Sequence, residues 1–464
     1  MVTECTSKKL PFQRLGRRRV EADFDGGFIS TNGGAMLLRE VELLRRIISR
    51  LAACFVDRRD PELIEFSAQE LVAQRVMGLA LGFEDVEDHG QLRHDPMLAL
   101  ACGREDLVGA LRRSRSDRGT PLASPATLHR LEHCADGTKK TRRHYAFSYD
   151  DDAICRLMVE LFMETFDEAP DELVLDLDAT DDRIHGTQEG RFFHGFYGHY
   201  CYLPLYIFCG DAPLCARLRR SNIDAASGCL EELEIIVEQL RERWPEVRIT
   251  VRADSGFARD EIFTWCEEAG LEYVIGLARN DRLQAMVEPH FEALRHVDDK
   301  RSYHELRYRT QDSWSRERRV VAKTEILGTK KNPRFVVTTL TPEEADAATV
   351  YRELYCARGD MENRIKEQQL DLFADRTSTN LMRSNQLRLY FSTFAYILIA
   401  ELRRLGLVGT DLARAYAGTV RRRLLTVGAR VYISVRRVLC RLSSSFVGAA
   451  SLRAAHARLR GPPC

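Results

Sequence analysis

Two hydrophobic spacings divide this chain. Up to about residue 150, apolar side chains recur every three to four positions, as in AMLLREVELLRRIISRLA after Gly33 and Gly34 and in FSAQELVAQRVMGLALGF. That spacing predicts amphipathic helices. Ser124 before Pro125 offers an N-cap and a proline at the first helical position, so a helix there would carry His129 and Arg130 outward. It would be either a DNA-reading helix or an ordinary exposed helix of a small bundle.

From Leu173 the spacing shortens to two. LVLDLDAT (173–180), YCYLPLYIF (200–208) and LCARLRR (214–220) read as three neighbouring antiparallel strands. A helix follows from about Gly228 to Trp244, with Leu230, Leu233, Ile236, Val237 and Leu240 on one face. A strand, VRITVRAD, then ends in Asp254, and a helix at 259–268 and a strand at 272–277 close the unit. The order βββαβαβ predicts an α/β fold, a mixed sheet flanked by helices. SYHELRYRT, RRVVAKTEIL and RFVVTTL, within 280–345, predict a small β insertion. A helix starting near Ala347 then runs through TVYRELYCARGDMENRIKEQQLDL, interrupted only at Gly359.

Composition changes this picture in one respect. Among 464 residues, Lys plus Arg equals Asp plus Glu at 69 each, but the distribution is uneven. From Glu401 onward 13 arginines face two acids, whereas Tyr149–Asp182 is strongly acidic. A basic tail beside an acidic centre fits a protein that grips phosphates with one part and a cation with another. The tail is expected either as structural helices with Arg421–Arg423, Arg436 and Arg437 outward or as a DNA clamp. Arg17–Arg19 and Lys139–Arg143 are either phosphate contacts or solvated charge. Thirteen cysteines without a C-x-x-C pair read as reduced thiols of a cytoplasmic protein. With no apolar leader and no apolar run of membrane-spanning length, the expectation is a soluble, unexported protein with no membrane partner.

The candidate chemistry sits where strands end. Asp176 and Asp178 share one face of LVLDLDAT with Val174. Carboxylates at the end of a buried strand need a cation or water, because an unpaired buried charge is strongly unfavourable. Asp254 ends a second strand, and Glu362 lies on the later helix, where Ala357, Met361 and Ile365 can pack on the sheet. Three such acids from separated segments are what a two-ion Mg²⁺ site needs, since Mg²⁺ takes oxygen ligands and keeps waters or phosphate oxygens. Two ions about 3.5 to 4 Å apart activate a nucleophile and stabilise the leaving oxygen of a phosphoryl displacement.

DLDATDDRIHGTQEG, YCYLPLYIF, VRADSGF and YCARGDMENRIKE resemble the motifs of IS1380-family insertion-sequence transposases, within the IS4-like group of DDE transposases. The resemblance extends to SWSRERRVVAKTE, NQLRLYFSTFAYILIAELRR and, more loosely, GLALGFEDVEDHGQLRHDP. It implies a ribonuclease-H-like catalytic domain at 170–280 and 346–400 with a β insertion at 281–345 before the last acid. A helical DNA-binding region would occupy 1–150 and a basic helical region 401–464. It also implies Asp178, Asp254 and Glu362 as the catalytic, metal-binding acids for two Mg²⁺ or Mn²⁺ ions, with Asp176 the alternative to Asp178. The family's Tyr, Arg, Glu, Lys signature is met at Tyr355, Arg358 and Glu362, but Gln369 stands where Lys is usual. Gln369 can donate to a phosphate without neutralising it, so Lys366, one turn after Glu362, would supply the charge. In the insertion, Trp314 with Arg316, Arg318 and Arg319 would stack on an unpaired base and hold its backbone, or form a local core. The expected partners are the element's terminal inverted repeats and target DNA, bound by a homodimer in the synaptic complex. A nuclease or resolvase with the same acids, or a DNA-binding regulator, are the competing readings.

Overall fold

The computed structural model describes residues 9–134, 146–295 and 300–461, so Lys139–Arg143 lie outside the described residues. Two compact units result.

One unit draws on both ends of the chain: the residues up to Arg45, Ile64–Leu128 and Glu401 onward. The expected helices form at Ala35–Arg45 and Ala68–Leu81. Ser67 and Glu70 close a capping box at the start of the second, and Gly82, in the left-handed region, ends it. That helix is not amphipathic as expected; its residues from Leu71 to Leu81 are all buried, the pattern of a core helix. His89 is fully buried between the Gln74 amide and the Arg75 guanidinium, and burial pushes its imidazole down to about 3. The expectation of a wholly helical C-terminal region needs correction. Ala429–Ser434 and Arg437–Leu442 form an antiparallel hairpin that pairs with Phe28–Ser30. Arg-Val-Tyr-Ile and Arg-Val-Leu-Cys alternate with a period of two, which seats Val431 beside Met97 and leaves Arg430 exposed. Arg436 and Arg437 are outward, as expected, but at a hairpin turn. Among the described residues no helix is long and apolar enough to cross a membrane.

The second unit, Arg46–Leu63 and His129–Ala400, contains a large mixed sheet. Its strands are β1 (Glu172–Ala179), β2 (Leu205–Cys209), β3 (Ala212–Arg217), β4 (Arg248–Ala253), β5 (Glu272–Leu277), β6 (Arg301–Tyr308), β7 (Arg318–Leu327) and β8 (Arg334–Thr338). Their order is β3-β2-β1-β4-β5-β8-β7-β6, with β1, β4 and β5 mutually parallel and the other neighbours antiparallel. Helices α1 (Cys229–Arg243) and α2 (Asp260–Glu268) make the crossovers that parallel pairing requires. Leu173, Leu175 and Leu177 of β1 pack with Ile249, Val251 and Ile275 against Leu233, Ile236 and Phe263 of those helices. Each such side chain contributes about 1.5–3 kcal/mol by leaving water. The opposite face carries Val274, Val321 and Val336 beneath Val350 and Tyr351.

Two boundaries differ from the sequence reading. YCYLPLYIF is not one strand: Leu203 and Pro204 separate His199–Tyr202, which joins a small sheet with Asp182–Arg183 and Phe192–His194, from β2. Pro204 has no amide hydrogen to continue the ladder. The segment 281–345 contributes strands to the main sheet, since β8 pairs with β5, and it opens with a helix, Asp281–Leu294.

Candidate active site

Register places the first two acids. In the parallel pair, Ala253 of β4 stands opposite Leu177 of β1, so the following residues, Asp254 and Asp178, emerge side by side at the carboxyl ends of adjacent strands. Open α/β sheets bind their ligands at this edge. One residue pair earlier, Arg252 stands opposite Asp176 and grips it with two hydrogen bonds, Nε to Oδ1 at 2.5 Å and Nη2 to Oδ2 at 2.7 Å. Arg252 Nη1 also donates to the Leu354 carbonyl at 2.7 Å. Asp176 is thus occupied in tying β4 and the helix before Tyr355 to β1.

The third acid arrives on a helix of uneven winding. From Ala347 the chain takes one α-helical turn, widens into a π-helical stretch at Val350–Tyr355, tightens into a 3-10 turn at Cys356–Arg358 and continues as α3, Gly359–Leu372. Tyr355 closes on the sheet over Gly276, where an added Cβ would lie 2.5 Å from its hydroxyl oxygen and 3.0 Å from the Ser255 amide nitrogen. Arg358 follows, its Nη2 2.6 Å from Glu362 Oε1 and its Nη1 3.7 Å from Asp178 Oδ1.

One guanidinium therefore faces three carboxylates. Burial pushes the Asp178 carboxyl up to about 6; Arg358 opposes that shift, and the charges of Asp254 and Glu362 reinforce it. Burial works against the Arg358 charge, but Asp178 and Glu362 outweigh it and raise its pKa. Asp254 Oδ1 accepts the Gly256 amide at 2.8 Å, and a Cβ on Gly256 would sit 3.0 Å from that oxygen. The donors form the all-oxygen set that a hard divalent cation takes, so they fit Mg²⁺ or Mn²⁺ by chemistry and by placement at one sheet edge. Among the described residues no three acidic, histidine or cysteine side chains yet stand at ligating distances; Arg358 instead spans from Asp178 to Glu362.

A family model described as transposase DDE domain group 1 matches residues 12–463. The chain belongs to this DDE transposase family. Among solved structures, this DDE transposase is similar to the cryo-EM structure of a piggyBac transposase synaptic complex with hairpin DNA. The two are 12% identical, covering 84% of this chain and 80% of that one, at a TM-score of 0.39. No curated protein matches.

The remaining expected site residues of this DDE transposase are placed unevenly. Lys366 is exposed and makes no ion pair among the described residues. Gln369 is turned inward: its Nε2 donates to Asp182 Oδ1 at 3.2 Å and lies 3.5 Å from the Asp181 carbonyl oxygen. Asp182 is fully buried, which drives its carboxyl well above the usual range and favours the neutral acid. A glutamine meets that acid without demanding a charge.

The insertion residues correct the base-stacking expectation. Trp314 is only 4% exposed, packed edge-on against Phe263 (5.2 Å) and Tyr308 (5.5 Å). Arg318 is buried against Asp260 (2.6 Å) and Glu267 (2.9 Å). Arg319 donates to Glu305 and to the Leu340 and Ala345 carbonyls at 2.6–2.8 Å. The ring face and both guanidinium groups are taken up inside the fold, Arg318 by the acids of α2 and Arg319 by Glu305 of β6. Arg316 is exposed but also pairs with Glu267. Sequence reasoning missed Arg252, whose period-two spacing before Asp254 was its signal. It also missed the run FFHGFYGHY, seven rings in nine residues between 192 and 200.

Proposed function

We propose that this DDE transposase binds the terminal inverted repeats of its own element, cleaves the element ends by metal-dependent phosphoryl transfer and joins them to target DNA, as an IS1380-type enzyme. The observation that carries the reading is the adjacency of Asp178 and Asp254 on neighbouring parallel strands, with Glu362 and Arg358 brought to the same edge by the following helix. The order β3-β2-β1-β4-β5 supports a ribonuclease-H-like catalytic core. Two Mg²⁺ or Mn²⁺ ions, when bound by Asp178, Asp254 and Glu362, would activate the attacking oxygen and stabilise the leaving one. Arg358, which now spans Asp178 and Glu362, has the planar fork that would hold the scissile phosphate. Tyr355, lodged over Gly276, donates from a fixed position, and exposed Lys366 adds a phosphate contact one turn along. A homodimer would bring two element ends together.

Excision of a marker flanked by the element's ends tests this. Asp254→Ala is expected to abolish excision; equal excision by wild type and variant would refute the mechanism. Nicking without joining to a target plasmid would instead assign a nuclease or resolvase.

A further inference from the structure

The hairpin at 192–200 leaves rings exposed beside the acidic site. Strands Phe192–His194 and His199–Tyr202 pair with Phe193 opposite Tyr200, and their rings meet edge-on at 5.6 Å. Phe196, at the turn, is 87% exposed and Phe193 57%. Several uncovered rings within one hairpin form an apolar patch of the kind that marks a binding surface. Arg191 places its guanidinium 4.8 Å from the centre of the Tyr200 ring, so a cation accompanies the patch.

The hairpin is tied to the strand end that bears Asp178. The Tyr197 hydroxyl donates to the Ala179 carbonyl at 3.4 Å, and His199 Nε2 lies 2.6 Å from Asp181 Oδ2. Burial pushes the Tyr197 phenol up to about 12, and the charges of Asp181, Asp178 and Asp254 add to that shift. The rings therefore rise from the margin of the carboxylate edge.

We propose that Phe193, Phe196 and Tyr200 form a stacking platform for unpaired DNA bases beside the scissile phosphate, with Arg191 holding the adjoining backbone. This rests on the transposase reading. Aromatic faces accept any base, and arginine beside them supplies the phosphate contact, the combination found in single-strand binding surfaces. The platform takes the role that the sequence suggested for Trp314, which is packed inside the fold.

The test uses full-length protein carrying Asp254→Ala, so that DNA is bound but not cut. The probes are a blunt duplex ending in the inverted repeat and the same duplex with a single-stranded tail containing 2-aminopurine. Quenching of the 2-aminopurine on binding is expected. Phe193→Leu with Phe196→Leu should remove the quenching and weaken tailed-duplex binding about tenfold, with blunt-duplex affinity unchanged. Phe196→Trp should preserve the quenching. Duplex binding without quenching, or equal quenching by the leucine variant, overturns the platform alone. A leucine variant that loses self-association while quenching normally assigns the rings to a protein interface and also overturns it. Failure to bind either duplex overturns the transposase reading, and the platform with it.

Discussion

Two arginines in the same unit each meet a cluster of carboxylates, and they do so to different ends. Arg318 is buried and fully matched by Asp260 and Glu267, whose carboxyls are held below their usual range even though burial works against this. Arg358 faces Asp178, Asp254 and Glu362, contacts Asp178 only at 3.7 Å, and leaves that carboxyl raised to about 6. The first cluster is balanced and closed. The second carries more negative charge than its cation neutralises and opens at a sheet edge, so it has capacity for a further cation. What separates the two clusters is the surplus of acid in the second, since both contain the same residue types.

Substitutions should separate the two most sharply. Asp178→Asn is expected to lower end cleavage by about a thousandfold or more while leaving the urea midpoint unchanged or raised, because it removes a buried charge that is poorly compensated. Arg318→Ala should do the reverse, costing about 3–5 kcal/mol in urea unfolding by stranding Asp260 and Glu267, with near-normal cleavage by the fraction that stays folded. Loss of cleavage in a stably folded Arg318→Ala would break the contrast and restore a DNA role to the insertion.

The clusters should also titrate with opposite sign. Asp178 binds its proton more tightly folded, at about 6 against the usual 3.8, so its contribution is fully present below 3.8 and is lost as pH rises towards 6. At about 1.4 kcal/mol per unit this amounts to roughly 2–3 kcal/mol. Asp260 and Glu267 bind theirs less tightly folded, so their contribution is present above their usual values and is lost as pH falls through the lowered ones. Metal-free unfolding measured across this range should show the Asp178→Asn curve lacking the decline between about pH 4 and 6. An unchanged decline would remove Asp178 as its source.

The smallest effects belong to the second turn of α3. Lys366→Ala should weaken DNA binding a few-fold and reduce the salt slope by about one. Gln369→Ala should leave DNA binding unchanged and cost about 1–3 kcal/mol, because the buried Asp182 loses its donor. Filter binding across salt concentrations and urea unfolding distinguish them; the opposite assignment would return Gln369 to the phosphate.

How much of this was legible depends on the range of the interactions involved. The order from β1 to β5 could be read because alternation and helical spacing are local and agree with one another. Asp178 and Asp254 could be singled out as candidates because acids at strand ends violate the apolar pattern around them, and Glu362 because Ala357, Met361 and Ile365 at helical spacing turn its helix toward the sheet. The pairing of β8 with β5 could not, because nothing local tells a strand which sheet it will join. Trp314 reads identically as a stacking ring and as a core ring until Phe263 and Tyr308 are seen around it. The hairpin at Ala429–Ser434 and Arg437–Leu442 differs from the expected helix because its short apolar alternation is interrupted by arginines and finds its partner strand, Phe28–Ser30, far away in the chain. The unit formed from both chain ends is a product of tertiary contact alone.

Gly276 gives the site its tolerance. The helix that delivers Arg358 and Glu362 is seated by Tyr355 in a notch that exists only because residue 276 has no side chain. A methyl group there would lie 2.5 Å from the Tyr355 hydroxyl oxygen and push that ring out of its seat on the sheet. The seat of the ring that precedes Arg358 and Glu362 is thus gauged from an absence, at a position that carries no charge.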